Sequence, residues 1–333
     1  LGNFEKAYDA STKALKIDKK IYGEKHPIVA WDYGLIGFMQ DSMGRLNESM
    51  SSYQKSIDIF NDVYPNGHPE LANTLNNQAY TYKQLGKYMQ AYKIQLIALE
   101  MSKKFLDEFH PRIANIQNSI GVTLSQLNKY EESAGFYQLA FESRLKSLGP
   151  NHLDIHTSHI NLAHVEKSRQ RYKEAHFQVD RAIEIVKKNL GSDSHKLISP
   201  LSVKAGIFRV AGKFEQAIEL EKSIIQLAKS SLGQSHWRIS LYLNQLSLSY
   251  SEAFKIDLAL ETIDLAIQNL KKQNKYDEVL LGDFYVNKGK YLFKQDNVIQ
   301  GVEWVQKGLT LYQSNQSRKA EKTRDLIATM IQK

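Results

Sequence analysis

Five histidines recur along the chain, at His26, His68, His110, His152 and His236. Imidazole is the commonest metal ligand and a frequent general base, so a repeated histidine is the first pattern to test for chemistry. The first four stand 42 residues apart. Equivalent positions in successive stacked units lie roughly 10 Å apart or more, whereas zinc draws its ligands to about 2 Å. The spacing therefore argues against a shared metal. His26-Pro27, His68-Pro69 and His110-Pro111 read instead as loops that close just before a helix, with proline in its first turn. A second group comprises His152, His156, His159 and His164. His159 and Glu166 fall on a packing face where other units place Leu or Tyr, and two polar groups there need a partner. A local structural pair, a ligand-contacting spot and a zinc site are the readings left open. No nucleophile elbow, phosphate loop, zincin motif or dinucleotide fingerprint occurs. The sequence therefore assigns no catalytic residue, metal or cofactor, and the chain reads as a non-enzyme.

Composition narrows the class further. Of 333 residues 42% are hydrophobic, enough for a continuous core. There are six prolines and no cysteine, which excludes disulfides, thiolate metal sites and cysteine nucleophiles. The net charge is +8, with Lys and Arg interleaved among Asp and Glu. No run resembles a nucleic-acid-binding arm, so nucleic acid is not an expected partner. No apolar run approaches about 18 residues, so no membrane insertion is expected. A cytoplasmic location, or the host cytoplasm for a secreted bacterial protein, is the expectation. The opening Leu1-Gly2 in place of Met reads as a fragment.

The elements that must carry these residues come from one period. Short segments of small-basic-aromatic-acidic-small type recur as Gly44-Arg45-Leu46-Asn47-Glu48-Ser49, Gly86-Lys87-Tyr88-Met89-Gln90-Ala91 and Gly212-Lys213-Phe214-Glu215-Gln216-Ala217. The closing small residue repeats every 42 positions as Ala7, Ser49, Ala91, Ser133, Ala175, Ala217, Ala259 and Gly301. Gly37, Ala79, Gly121, Ala163, Ala205, Ser247 and Gly289 form a second column, and Leu15, Ile57, Leu99, Phe141, Ile183, Ile225, Ile267 and Leu309 an apolar one. Within a unit the apolar spacing is near 3.6, which predicts helices, and the Gly-Lys turn separates the two helices of each unit. Strands and the Trp-Asp signature of propellers are absent, and HEAT units lack this ladder of small residues.

These units resemble tetratricopeptide repeats, and in particular the 42-residue version found in kinesin light chains. Loops such as Tyr22-Gly23-Glu24-Lys25-His26-Pro27 and Leu232-Gly233-Gln234-Ser235-His236 carry the resemblance, as does Thr74-Leu75-Asn76-Asn77-Gln78-Ala79-Tyr80. The resemblance weakens after about residue 272, where Tyr276-Asp277-Glu278-Val279 replaces the His-Pro loop. It implies an all-α fold, an α-α superhelix of stacked antiparallel helix pairs forming one tetratricopeptide solenoid over 1–333. Residues 3–20 are expected to be a second helix whose first helix is missing, 26–314 seven helix pairs, and 317–332 a capping helix. Leu326, Ile327, Met330 and Ile331 would cover the last pair, with Ser317 as N-cap.

In such arrays the first helix of each pair lines a concave groove, and one face of that helix recurs at i, i+3, i+7 and i+10. That face offers Asn73, Asn76, Tyr80 and Lys83, then Asn115 and Asn118, then His164 and Lys167, followed by Arg209, Asn244 and Lys290. Asn77 and Asn161 stand beside it. Asparagine is a poor helix former, but its amide both donates and accepts, which suits clamping an extended peptide backbone. Kinesin light chains are similar in using groove asparagines for peptide cargo. Lys83, Lys167, Arg209 and Lys290 give a basic lining, with Asp41 and Asp283 towards the ends. Trp31 and Phe38, with Tyr80, form an aromatic mouth, unless Trp31 and Phe38 pack on an upstream helix. The expected function is a protein-interaction scaffold whose groove binds an extended, acidic peptide of a partner protein. A peptide-responsive regulatory sensor, or the targeting arm of an enzyme whose catalytic domain lies upstream, are the alternatives. Nothing in the sequence sets an oligomeric state.

Overall fold

Several first helices of the pairs begin where a loop histidine, or its substitute, meets the first unpaired backbone N–H groups. In the computed structural model, which describes residues 2–315, 317 and 319–332, His26 Nδ1 accepts from the N–H of Ile28 at 3.2 Å, and His68 and His110 do the same for Glu70 and Arg112. The first N–H groups of a helix have no partner inside it, and a cap satisfies one of them. An Nδ1 that accepts must carry its proton on Nε2 instead. The loop histidines thus cap through Nδ1. Asp277, in the unit that lacks His-Pro, accepts from Val279 and Leu280. His68→Ala is expected to destabilise the fold by about 1 kcal/mol in urea unfolding, with most of the loss restored by His68→Asn. Equal stabilities of His68→Ala and the parent would contradict the capping role.

The turn between the two helices of a pair is as regular as the cap. Gly44, Gly86, Asn128, Gln170, Gly212, Phe254 and Asp296 stand one period apart, and all have positive φ, between 59° and 78°. A left-handed residue after a helix ends it and turns the chain back.

Two compact units, residues 1–171 and 172–333, result. The first contains α1 (Gly2–Tyr22), α2 (Pro27–Ser42), α3 (Leu46–Val63), α4 (Pro69–Gln84), α5 (Tyr88–Phe105), α6 (Pro111–Gln126), α7 (Tyr130–Leu148) and α8 (Ile155–Ser168). In the second are α9 (Tyr172–Leu190), α10 (Ile198–Val210), α11 (Phe214–Leu232), α12 (Arg238–Glu252), α13 (Ile256–Lys271), α14 (Glu278–Lys294), α15 (Val298–Ser314) and α16 (Lys319–Ile331). A short 3-10 turn, His195–Leu197, leads into α10. Both units are all-α: stacked antiparallel helix pairs of the tetratricopeptide solenoid kind. Leu1, Gln316, Arg318 and Lys333, which the 1–333 reading includes, lie outside the described residues.

The small columns sit where helices cross. Ser49, Ala91, Ser133, Ala175, Ala217 and Ala259 are fully buried, and Ser49 and Ser133 donate to the carbonyls of Gly37 and Gly121, at 2.8 and 2.7 Å. In unit 1, Leu99, Ile113, Ile116, Ile120 and Leu124 pack as one cluster. In unit 2, Ile218, Ile263, Phe284 and Tyr291 belong to another. In the final helix Met330 is buried, and Leu326 and Ile327 pack against Val286, Val305 and Tyr312. Ile331, expected to join them, is 65% exposed, because the last turn of α16 rotates it off the covered face. Ser317 accepts from the N–H of Lys319, as its expected capping role requires.

Candidate functional site

Within each unit the first helices of successive pairs lie side by side, so side chains one period apart come within bonding distance. Asn161 donates to Asn118 Oδ1 at 2.7 Å in unit 1. Asn287 donates to Asn244 Oδ1 at 2.9 Å in unit 2. Both bonds join residues 43 apart, three periods from each other along the chain. Asn244 is buried and its bonded partner Asn287 was not singled out by the sequence reading, which stopped at the exposed face; the 43-residue step was the available signal. The same register places Asn76 beside Ser119, and Asn76 Oδ1 is buried without a hydrogen-bond partner.

Asn76, Asn77, Tyr80 and Phe38 come together around one open cavity of about 680 Å³ in unit 1. Phe4, Asp41, Ser42, Gly44, Tyr53, Gln84 and Ser119 complete its lining. Phe38 and Tyr80 are about half exposed. Trp31 is more exposed still, and it is not part of this lining. Asn73 and Asn115 are exposed; Asn115 Oδ1 accepts from Arg144, which also bonds Ser158.

The basic residues are placed unevenly. Lys83 is half-buried with its ammonium 5.1 Å from the centre of the Tyr80 ring. Burial pulls its pKa below the usual lysine value, opposed by the charge of Asp41. Lys167 is half-buried and Lys290 exposed. His164 is exposed at the residue level yet closely surrounded, and desolvation, with the Lys167 charge, pushes its imidazole down to about 4. Arg209 is engaged. It bonds Glu221 Oε1 at 3.3 Å and, across to α12, the side chain and carbonyl of Gln245. Burial pushes the Glu221 carboxyl up, with the Arg209 charge opposing it.

In the fourth repeat Glu166 and His159 have separate surroundings. Glu166 is held by Arg169 at 2.6 Å, and Arg169 also reaches Glu131. His159 is buried with its ring 4.9 Å from that of Phe141. Among the described residues no three His, Asp or Glu side chains are grouped to hold a metal ion, and no helix is long and apolar enough to cross a membrane.

Comparison with known proteins agrees with this geometry. Residues 1–62 and 70–146 match the tetratricopeptide repeat family. No curated protein matches the sequence. Among solved structures, nearly identical TPR-like repeats of kinesin light chain type from Podosopora anserina superpose with a TM-score of 0.53 at 18% identity, covering 62% of this chain and 99% of theirs. The apo form of the quorum sensor NprR from B. thuringiensis gives 0.56 at 16% identity, over 99% of each chain. A Rap protein complexed with Competence and Sporulation Factor gives 0.61 at 14% identity, over 97% of this chain and 86% of that one. At these identities the likeness establishes the fold.

Proposed function

Because residues 1–62 and 70–146 match the tetratricopeptide repeat family and the helix pairs are of that kind throughout, we propose that this chain is an interaction scaffold binding an extended segment of a partner protein along first-helix faces. It works by binding, not catalysis. The observation that carries this reading is the open cavity of unit 1, whose lining brings the amides of Asn76 and Asn77 together with the half-exposed rings of Phe38 and Tyr80. Amide side chains on a helix face bond a peptide backbone whatever its sequence, and the rings supply a face for one anchoring side chain. Acidic residues of the segment would face Lys83 and Lys167 in unit 1. The Rap structure carries a bound factor and NprR is a quorum sensor; both support binding of a ligand as the mode of action. The NprR likeness also favours a second reading, a sensor whose bound peptide changes the protein's conformation. X-ray scattering with and without peptide separates the two, since a scaffold keeps its profile.

The direct test uses labelled 12-residue peptides containing one aromatic and several glutamates. With Asn76 and Asn77 both changed to Ala, affinity is expected to fall about tenfold, as two hydrogen bonds of about 0.7 kcal/mol each would give. Charge reversal at Lys83 and Lys167 should weaken binding and flatten its salt dependence. Unchanged affinity in both variants, with helicity intact, would reject the groove reading.

A further inference from the structure

We infer that the unit 1 cavity receives one cationic side chain of the bound segment, a guanidinium or ammonium group. The inference rests on the peptide reading for the source of that side chain, and on Asp41 for its chemistry. Asp41 was read from sequence as a charge towards one end of an exposed face; the fold leaves it only 5% exposed. Its Oδ1 accepts from Thr81 at 2.8 Å and its Oδ2 from Gln84 at 3.2 Å, and both donors are neutral. Among the described residues no Lys, Arg or His forms an ion pair with it. Lys83 lies within electrostatic range, but its ammonium sits over the Tyr80 ring. A carboxylate withdrawn from water and met only by neutral donors is incompletely compensated. It also keeps lone pairs to offer, since two carboxylate oxygens provide about four acceptor sites.

The rest of the cavity has the same preference. Asn76 Oδ1 is a second acceptor, buried and unpaired. Phe38 and Tyr80 are 47% and 52% exposed and present the aromatic walls. Aromatic faces attract cations through their quadrupole, most strongly where water is partly excluded. A carboxylate or phosphate entering here would meet Asp41 and be repelled. An apolar side chain would leave both acceptors without a donor. A guanidinium satisfies all three features, with its N–H groups on Asp41 and Asn76 and its plane against a ring. A segment that is acidic elsewhere and carries one basic anchor would therefore fit the cavity and the lysines together.

N-acetyl-arginine amide and N-acetyl-citrulline amide, which share shape but not charge, are the probes. Saturation-transfer NMR titrations would measure both against the whole chain. Arginine amide is expected to bind at least tenfold more tightly than citrulline amide. Asp41→Asn, which keeps an acceptor for Thr81, should bring the two to parity, and Tyr80→Leu should weaken the arginine probe several-fold. Equal binding of the probes to the parent protein, or an arginine preference that survives Asp41→Asn, would overturn the inference. If Asp41→Asn fails to fold, the parent comparison and Tyr80→Leu still decide. The glutamate-containing 12-mers keep the two readings separate. Arginine preference without 12-mer binding sustains the subsite and rejects the groove reading, and the reverse result rejects the subsite alone.

Discussion

Replacing Arg209 with methionine is expected to destabilise unit 2 by about 3 kcal/mol, far more than loss of a surface charge. Arg209 reads as a groove cation on the helix face, but its side chain is 17% exposed and its partner Glu221 only 4%. Glu221 Oε2 already lacks a hydrogen-bond partner, as does the nearby Ser249 hydroxyl. Methionine fills the space of the Arg209 stem and removes the cation paired with the carboxylate. The carboxyl then stays neutral to higher pH than in the parent. A carboxyl whose folded pKa lies above its unfolded value loses stability as pH rises through that interval. The deficit of Arg209→Met should therefore be largest near neutral pH and shrink on acidification. Replacing Glu221 by Leu in the same variant should recover most of the loss, because an apolar pair of similar volume avoids burying the charge. Urea unfolding at two pH values measures all three effects. A single-variant loss below about 0.5 kcal/mol, within the range of exposed pairs, would show that Arg209 does not hold Glu221 in place. Substitution at Arg209 thus changes stability together with groove charge, whereas Lys83, Lys167 and Lys290 report charge more directly.

The same residue shows where the sequence is legible and where it stops. Glu221 stands in a column occupied by Tyr53, Gln95, Tyr137, Val179, Ile263 and Val305. A charge in that column announces a buried polar group needing a partner. The partner's identity depends on how α10 and α11 cross, which periodicity does not specify. Gln95 makes the same point, since it accepts from Thr123 at 2.8 Å. The helix pairs, the small-residue crossings and the capping loops were readable because each repeats at one spacing, so every unit tests the others. Asp41 was not readable as a cavity group. Its burial comes from Thr81 and Gln84 on the following first helix and from the packing of Tyr53, contacts that sequence spacing along one face leaves out. Groove positions on the exposed face, such as Tyr80 and Lys290, needed only the helical period. Hydrogen bonds between faces, such as Asn244 with Asn287, needed the step between neighbouring repeats as well.

Gly289→Ala is expected to destabilise unit 2 by about 2 kcal/mol, although alanine is the better helix former. In an unconstrained helix the exchange gains up to about 1 kcal/mol, because glycine surrenders more backbone freedom on folding. At Gly289 the added Cβ would lie 2.5 Å from the carbonyl oxygen of Gly301 and 2.6 Å from Val305 Cγ2. The nearer contact is backbone, so no rotamer change relieves it, and α15 must move away from α14. Such overpacking typically costs 1–3 kcal/mol and here outweighs the propensity gain. Gly34→Ala supplies the contrast. Gly34 also lies within a helix, but its Cβ would meet Ser56 Oγ at 3.5 Å, an ordinary contact. That variant should be stabilised by about 0.5 kcal/mol or more. Opposite signs in parallel urea unfolding would establish that close approach, not turn geometry, fixes glycine at position 289. A stabilised Gly289→Ala would refute it. Displacing α14 would also disturb the Asn287–Asn244 bond on its groove face, so any peptide affinity of unit 2 should fall with stability at Gly289 and remain unchanged at Gly34.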